Sequence, residues 1–226
     1  MIWLRPKAVP GPFAISEQFA ILTRMDIIYS CGLILFFPDA LWRIADKPPI
    51  KNMLTFVSNR QIYDCLTKTI IPSVHDRLWI ATADMKDMYV EMAGRSDMVP
   101  FLEVLDMLLK KGIAIRLIHA KEPGPNFRRD FDRFPRLWQQ MERVLCPRVH
   151  FKCIIADGKT AYFGSANLTG AGLGAKNDNR RNFENGIFTD ERSIVEPLCE
   201  QFDSVWRGAC CVKCGRKKFC ANGPIM

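Results

Sequence analysis

No apolar run in this sequence is long enough to cross a bilayer. The longest, Ile27 to Pro38, is about half of what a spanning helix requires. Met1 to Pro12 carries Arg5, Lys7 and three prolines, and no clean apolar core with a small-residue cleavage site follows, so no secretory signal is expected. There is no internal repeat. Cysteine is present in odd number, nine, and Cys31, Cys65, Cys146, Cys153 and Cys199 are scattered through apolar surroundings. That distribution describes buried free thiols rather than a secreted disulfide framework. The expectation is a cytoplasmic protein without stable membrane insertion.

What the chain does have is core and positive charge. Its 226 residues are 48% hydrophobic, enough for one ordinary domain with small extensions. A net charge of +8 and a pI near 9.1 favour a polyanionic partner, nucleic acid or an anionic membrane surface. The chemistry concentrates between Val149 and Asn167. Val149 to Ala156 alternates apolar residues with His150 and Lys152, Asp157-Gly158 follows, and Thr160 to Gly164 reads as the returning strand. Asp-Gly is a strong signal for a two-residue hairpin turn. That register sets His150 opposite Ser165, and period-two alternation then sends His150, Lys152, Ser165 and Asn167 to one face. An imidazole, an ammonium, a hydroxyl and a carboxamide meeting there suit an anionic ester. Asp157 lies about 23 Å away at roughly 3.3 Å per residue, which makes it a turn residue.

These residues carry a resemblance. His150-x-Lys152-x4-Asp157, followed by Gly164-Ser165-x-Asn167, resembles the HKD signature of the phospholipase D superfamily, and Asn182-Phe183-Glu184-Asn185 resembles its downstream Asn-x-Glu segment. The likeness runs from about Asn52 to Trp206. It implies an α/β fold, a phosphohistidine intermediate and two HKD motifs per active site. It assigns Glu184 to orienting the histidine, with Asp157 and Gly164 as structural members of the motif. This chain holds one such motif. His119-x-Lys121 imitates the start of a second, but Pro123-Gly124-Pro125 replaces the apolar strand. His119 then reads as a strand-end residue lining the mouth of the site, and His75 as a surface histidine. One histidine cannot both attack phosphorus and protonate the opposite oxygen, so a homodimer sharing its site is expected.

The rest of the chain reads as alternating helices and strands. A helix capped by Ser58 or Asn59 runs to about His75, then a strand over Arg77 to Ala83. A helix over Phe101 to Lys111 ends at Gly112, and a strand follows over Ile113 to His119. Asn126 to Val144 reads as a basic helical region broken near Pro135. Phe183 to Thr189 is a strand and Arg192 to Trp206 a closing helix. The fold class is α/β, a phospholipase D-like sandwich with a mixed central sheet flanked by helices. Residues 1–50 form an N-terminal extension, 51–208 the catalytic domain, and 209–226 a basic tail. In that tail Cys210, Cys211, Cys214 and Cys220 suggest a structural zinc site, with an iron–sulfur cluster or free thiols as alternatives. Catalysis needs no cofactor in this scheme.

The leading function is a metal-independent endonuclease. Lys176, Arg180 and Arg181, in a basic loop beside the motif, would contact the nucleic acid backbone. The alternatives are a phospholipid-cleaving or phosphatidyl-transferring enzyme, and a nucleic-acid-binding module with a degenerate site.

Overall fold

The structure is a computed structural model that describes residues 53–220 apart from 87, 93 and 94. The expected N-terminal extension therefore lies outside the described residues. The chain divides at Lys51/Asn52, and the described residues all lie in the second unit.

Seven strands form one mixed sheet. They are β1 (Leu54–Ser58), β2 (Arg77–Thr82), β5 (Ala114–His119), β6 (Glu142–Leu145), β7 (Lys152–Ala156), β8 (Thr160–Gly164) and β9 (Asn185–Thr189), in the order β1-β9-β8-β7-β2-β5-β6. β2, β5 and β6 run parallel, and the other pairs are antiparallel. A short ribbon of β3 (Tyr89–Val90) and β4 (Val99–Pro100) stands apart.

Helices cover both faces. On one side α6 (Arg192–Trp206) places Val195 and Phe202 against Ala81, Ile118, Cys153, Ile155 and Ala161. Phe202 stacks on Trp79 at 4.8 Å between ring centroids. On the other side lie a helical run, α1 (Arg60–Cys65), a π turn Leu66–Ile70 and α2 (Ile71–Ser73), and the helix α3 (Phe101–Lys110). Six buried side chains of α3, from Phe101 to Leu109, make its stripe. It closes with Gly112 at φ 84°, where the Ile113 and Gly112 N–H groups reach back to Leu108 and Leu109. Two short helices, α4 (Pro125–Phe131) and α5 (Pro135–Gln140), bridge β5 to β6.

Leu54–Ser58, which the sequence reading leaves without an element, is a strand antiparallel to β9. Two helical expectations need correction. Asn59 does not cap α1 with its side chain, which is drawn to the backbone of Glu184 instead. Glu142–Leu145 is a strand rather than the end of a basic helix, because its backbone completes the parallel ladder beside β5. The hairpin register is also one residue off. Asp157 and Gly158 do take positive φ, 55° and 68°, but Lys159 adds a third loop residue, so Ala156 pairs with Thr160 and Lys152 with Gly164. A one-residue slip reverses the faces, and Ser165 is therefore not the partner of His150.

The turn is fastened from outside. The Asp157 carboxylate accepts N–H groups from His75, Asp76 and Arg77 at 2.9–3.0 Å. Partial burial opposes its charge, yet these three bonds win and hold its pKa below the usual carboxylate value. The stabilisation is thus present above the ordinary carboxylate range and is lost as pH falls through the folded pKa. Asp157→Asn should cost about 1–3 kcal/mol at neutral pH. In urea titrations the gap from wild type should close below about pH 4.

Candidate active site

The motif residues collect at one end of the sheet. β7 runs antiparallel to β2 and β8, so its start meets the ends of β2 and β8 and the start of β9. Lys152 opens β7 and is buried, 7% exposed. His150 lies two residues before it, outside the strand and exposed. The Lys152 ammonium stands 3.3 Å from His150 Nδ1 and also donates to the His150 carbonyl. Burial pushes the Lys152 pKa down, and the nearby Glu184 carboxylate opposes that shift. With Lys152 protonated, only the Nδ1 lone pair can face it, which leaves the imidazole proton on Nε2.

Ser165 reaches this end by another route than cross-strand pairing. Its N–H donates to the Asn185 carbonyl and its hydroxyl accepts from the Asn185 N–H, at 3.0 and 3.1 Å. The same hydroxyl donates to Glu184 Oε2. Glu184 Oε1 accepts from Asn182 at 3.0 Å. Among the described residues no hydrogen bond joins Glu184 to His150; its oxygens go to Ser165 and Asn182. Asn167 is held at the end of β2, where its side-chain oxygen accepts the Ala83 and Asp84 N–H groups at 3.2 and 3.1 Å. That fixes its amide orientation and leaves its NH2 free to donate.

Gly164 is required by close approach. A Cβ there would stand 2.3 Å from the Asn185 carbonyl oxygen and 2.7 Å from the Gly186 Cα. The glycine pair lets β8 and β9 come together where Ser165 and Glu184 meet. Two supporting residues escaped sequence reading. Asn59 brackets Glu184 through both of its backbone groups, at 2.9 and 3.1 Å; nothing in Ser58-Asn59 signals this. Asn182 stood inside the Asn-x-Glu segment without an assigned role.

The basic loop is laced to the site. Asn182 N–H bonds the Ala171 carbonyl, and Lys176 N–H bonds that of Gly170. Lys176 and Arg180 are exposed, while Arg181 pairs with Asp178 at 3.0 Å. A cavity of about 730 Å³ opens beside the motif, lined in part by Lys86, Lys121, Asn126, Asn167, Lys176 and Asn182.

His119 does not line the mouth of anything: it is fully buried. Its Nδ1 lies 2.7 Å from the Lys121 carbonyl, which can only accept, so Nδ1 carries the proton. Nε2 is buried without a partner among the described residues. Burial brings its pKa down to about 4. A depressed histidine pKa means stability is full above the unfolded value and is lost as pH falls from about 6.5 to about 4.

The tail cysteines lie beside the segment that precedes His150. Among the described residues no three metal-ligating side chains form a group that could hold an ion. The tail lies spread along Leu145–Arg148: Cys220 Sγ is 3.7 Å from the Leu145 carbonyl, and Arg216 donates to that of Pro147 at 3.1 Å. Cys214 takes hydrogen bonds from the Arg216 N–H and from Arg148, which lower its thiol pKa. Cys220 thus meets Leu145, and Cys214 meets Arg148.

The comparisons fit this geometry. Residues 68–206 match the family model described as "Cardiolipin synthase, PLD-like domain". The chain belongs to the phospholipase D superfamily. This phospholipase D-like chain is similar in structure to Nuc, a phospholipase D family member from Salmonella typhimurium. The TM-score is 0.50 at 15% identity, over 69% of this chain and 95% of that one. It is also similar to NucT from Helicobacter pylori, with TM-score 0.49, 14% identity and 68% and 95% coverage. A third likeness is to phosphatidylserine synthase from Haemophilus influenzae, with TM-score 0.47, 14% identity and 69% and 39% coverage. Comparison with curated protein sequences gives no match. Among the described residues no helix is long and apolar enough to cross a membrane.

The buried histidine gives the test here. His119→Asn keeps a donor for the Lys121 carbonyl and removes the titration. The stability gap between wild type and variant should narrow by roughly 3 kcal/mol between pH 7 and pH 4, read from chemical denaturation.

Proposed function

We propose that this chain is a metal-independent phosphodiesterase acting on nucleic acid, an endonuclease that works through a phosphohistidine. The observation that carries the reading is the buried Lys152 ammonium set against His150, with Glu184 close by. A buried point charge beside an exposed imidazole fits a site built to receive an anion and attack it. The net charge of +8 and the basic loop favour a polyanionic chain as that anion.

In this reading the phosphate oxygens draw Lys152 off His150 Nδ1, and Ser165 and Asn167 donate to the same oxygens. The neutral imidazole then changes tautomer, its single proton passing through solvent from Nε2 to Nδ1, where Glu184 accepts the hydrogen bond, and the freed Nε2 lone pair attacks. The N–P bond forms as the P–O bond breaks. The leaving oxygen receives its proton from His150 of the partner subunit, and water then cleaves the N–P bond. Positive charge comes from Lys152, so no metal is assigned a role. Lys176, Arg180 and Arg181 hold the strand backbone.

Cleavage of single-stranded DNA or RNA should persist in EDTA and fall about 10³-fold or more in His150→Ala or Lys152→Ala. Phosphatidylcholine vesicles, offered in parallel, test the phospholipid alternative. Preferential turnover of the vesicles would displace the nuclease reading. Sharing of the site is measured by co-refolding wild-type and His150→Ala chains. An equal mixture should retain about a quarter of full activity, because only doubly wild-type dimers work. Retention of about half, with dimers confirmed by light scattering, would place the whole site within one chain.

A further inference from the structure

Phe183 is 97% exposed, far beyond the other exposed aromatic side chains, of which Phe219 and Phe56 reach 57% and 64%. Its position makes this exposure informative. Asn182 and Glu184, on either side of it in sequence, bond to each other at 3.0 Å, and Glu184 binds Ser165. The two flanking side chains are thus committed to the site while the ring between them meets water. The same Asn182 lines the 730 Å³ cavity, as does Asn167.

The charges around that cavity are not balanced. Among its lining residues Lys86, Lys121 and Lys176 oppose Asp84 and Glu122. Lys86 and Lys121 share the single Asp84 carboxylate, at 3.7 and 3.1 Å. Glu122 is engaged by Arg128 and Arg143 at 3.5 and 3.7 Å. Lys176 is exposed at the rim, on the loop whose closing bond, Asn182 N–H to Ala171, ends at the residue before Phe183.

We propose that Phe183 and this cavity form a subsite for the nucleotide next to the scissile phosphate, with its base stacked on the Phe183 ring and its phosphate held by Lys176. The inference rests on the nuclease reading above. A flat aromatic face beside a cationic cleft is how proteins bind unstacked bases without reading sequence. A base inside a duplex has both faces covered, so the subsite selects single-stranded nucleic acid. A chance surface phenylalanine would have no reason to sit between two residues of the site.

The test compares a single-stranded oligonucleotide with a strand identical except for abasic positions flanking the cleaved bond. Wild type should prefer the base-bearing strand in kcat/KM by about five- to hundredfold, chiefly through KM. Phe183→Ala should bring that preference close to one, and Phe183→Tyr should restore it. Lys176→Ala should weaken binding of both strands alike and reduce the salt dependence of KM by about one phosphate contact. Equal slowing of both strands by Phe183→Ala would overturn the proposal, above all with loss of the dimer in light scattering, since the ring would then be a subunit contact. A preference that survives Phe183→Ala would overturn it too. A wild-type protein that cleaves no polynucleotide while hydrolysing bis(4-nitrophenyl) phosphate would instead remove the nuclease reading beneath it.

Discussion

The carboxylate of Asp157 binds three successive backbone N–H groups at the entrance to β2, and the placement of the site follows from that clamp. The hairpin β7–β8 is inserted antiparallel beside β2, so its register against β2 decides which residues arrive at the far end. With the turn fixed at 157, Lys152 faces Gly164, and Ala81 pairs with Cys153. A slip of one residue would turn Lys152 toward the α6 face, against Val195 and Phe202. An ammonium there would meet apolar side chains instead of His150 and Glu184. The motif's aspartate therefore acts at a distance, through register, and its chemistry is that of a turn.

Much of the architecture was legible because burial imposes a period. The stripe of α3, the strands β2 and β5, and the closing helix α6 all read directly from sequence, since each helix turns an apolar face to the sheet and the two strands lie buried inside it. The parts left unread or misread are those where hydrogen bonding to a neighbour outweighs local pattern. Leu54–Ser58 exposes Leu54 and Phe56, 55% and 64%, so its alternation does not announce a strand; pairing with β9 makes it one. Glu142–Leu145 follows two short helices and carries charges, yet it adds to the parallel ladder. The hairpin slip came from counting two loop residues where Lys159 makes a third, and no propensity rule distinguishes those cases without the tertiary clamp.

The two His-x-Lys pairs show how position decides chemistry. His119 ends β5 and His150 precedes β7, and each is followed two residues later by a lysine. In the first, the histidine is buried, with a pKa near 4, and Lys121 stands outside, paired to Asp84. In the second, the lysine is buried and the histidine exposed. Only the second can present an imidazole to a substrate while a low-polarity environment keeps the cation close. The residue types are the same; the direction of burial is opposite. This inversion was invisible in the sequence, where both pairs begin with an apolar run.

His150 owes its position to more than its own strand. It lies outside β7, so the ladder does not hold it, and the segment leading to it, Leu145–Val149, is gripped from the other side by the tail. Cys220 meets Leu145, Arg216 meets Pro147, and Cys214 meets Arg148. Each contact alone is modest, a single side-chain hydrogen bond worth about 1 kcal/mol. Together they attach the last described turn of the chain to the residues immediately before His150, while Lys152 holds the histidine's carbonyl from within. The imidazole thus stands between a buried cation fixed by the sheet and a surface segment whose anchoring lies some seventy residues later in sequence. Arg148, which Cys214 contacts from the tail, stands two residues before His150.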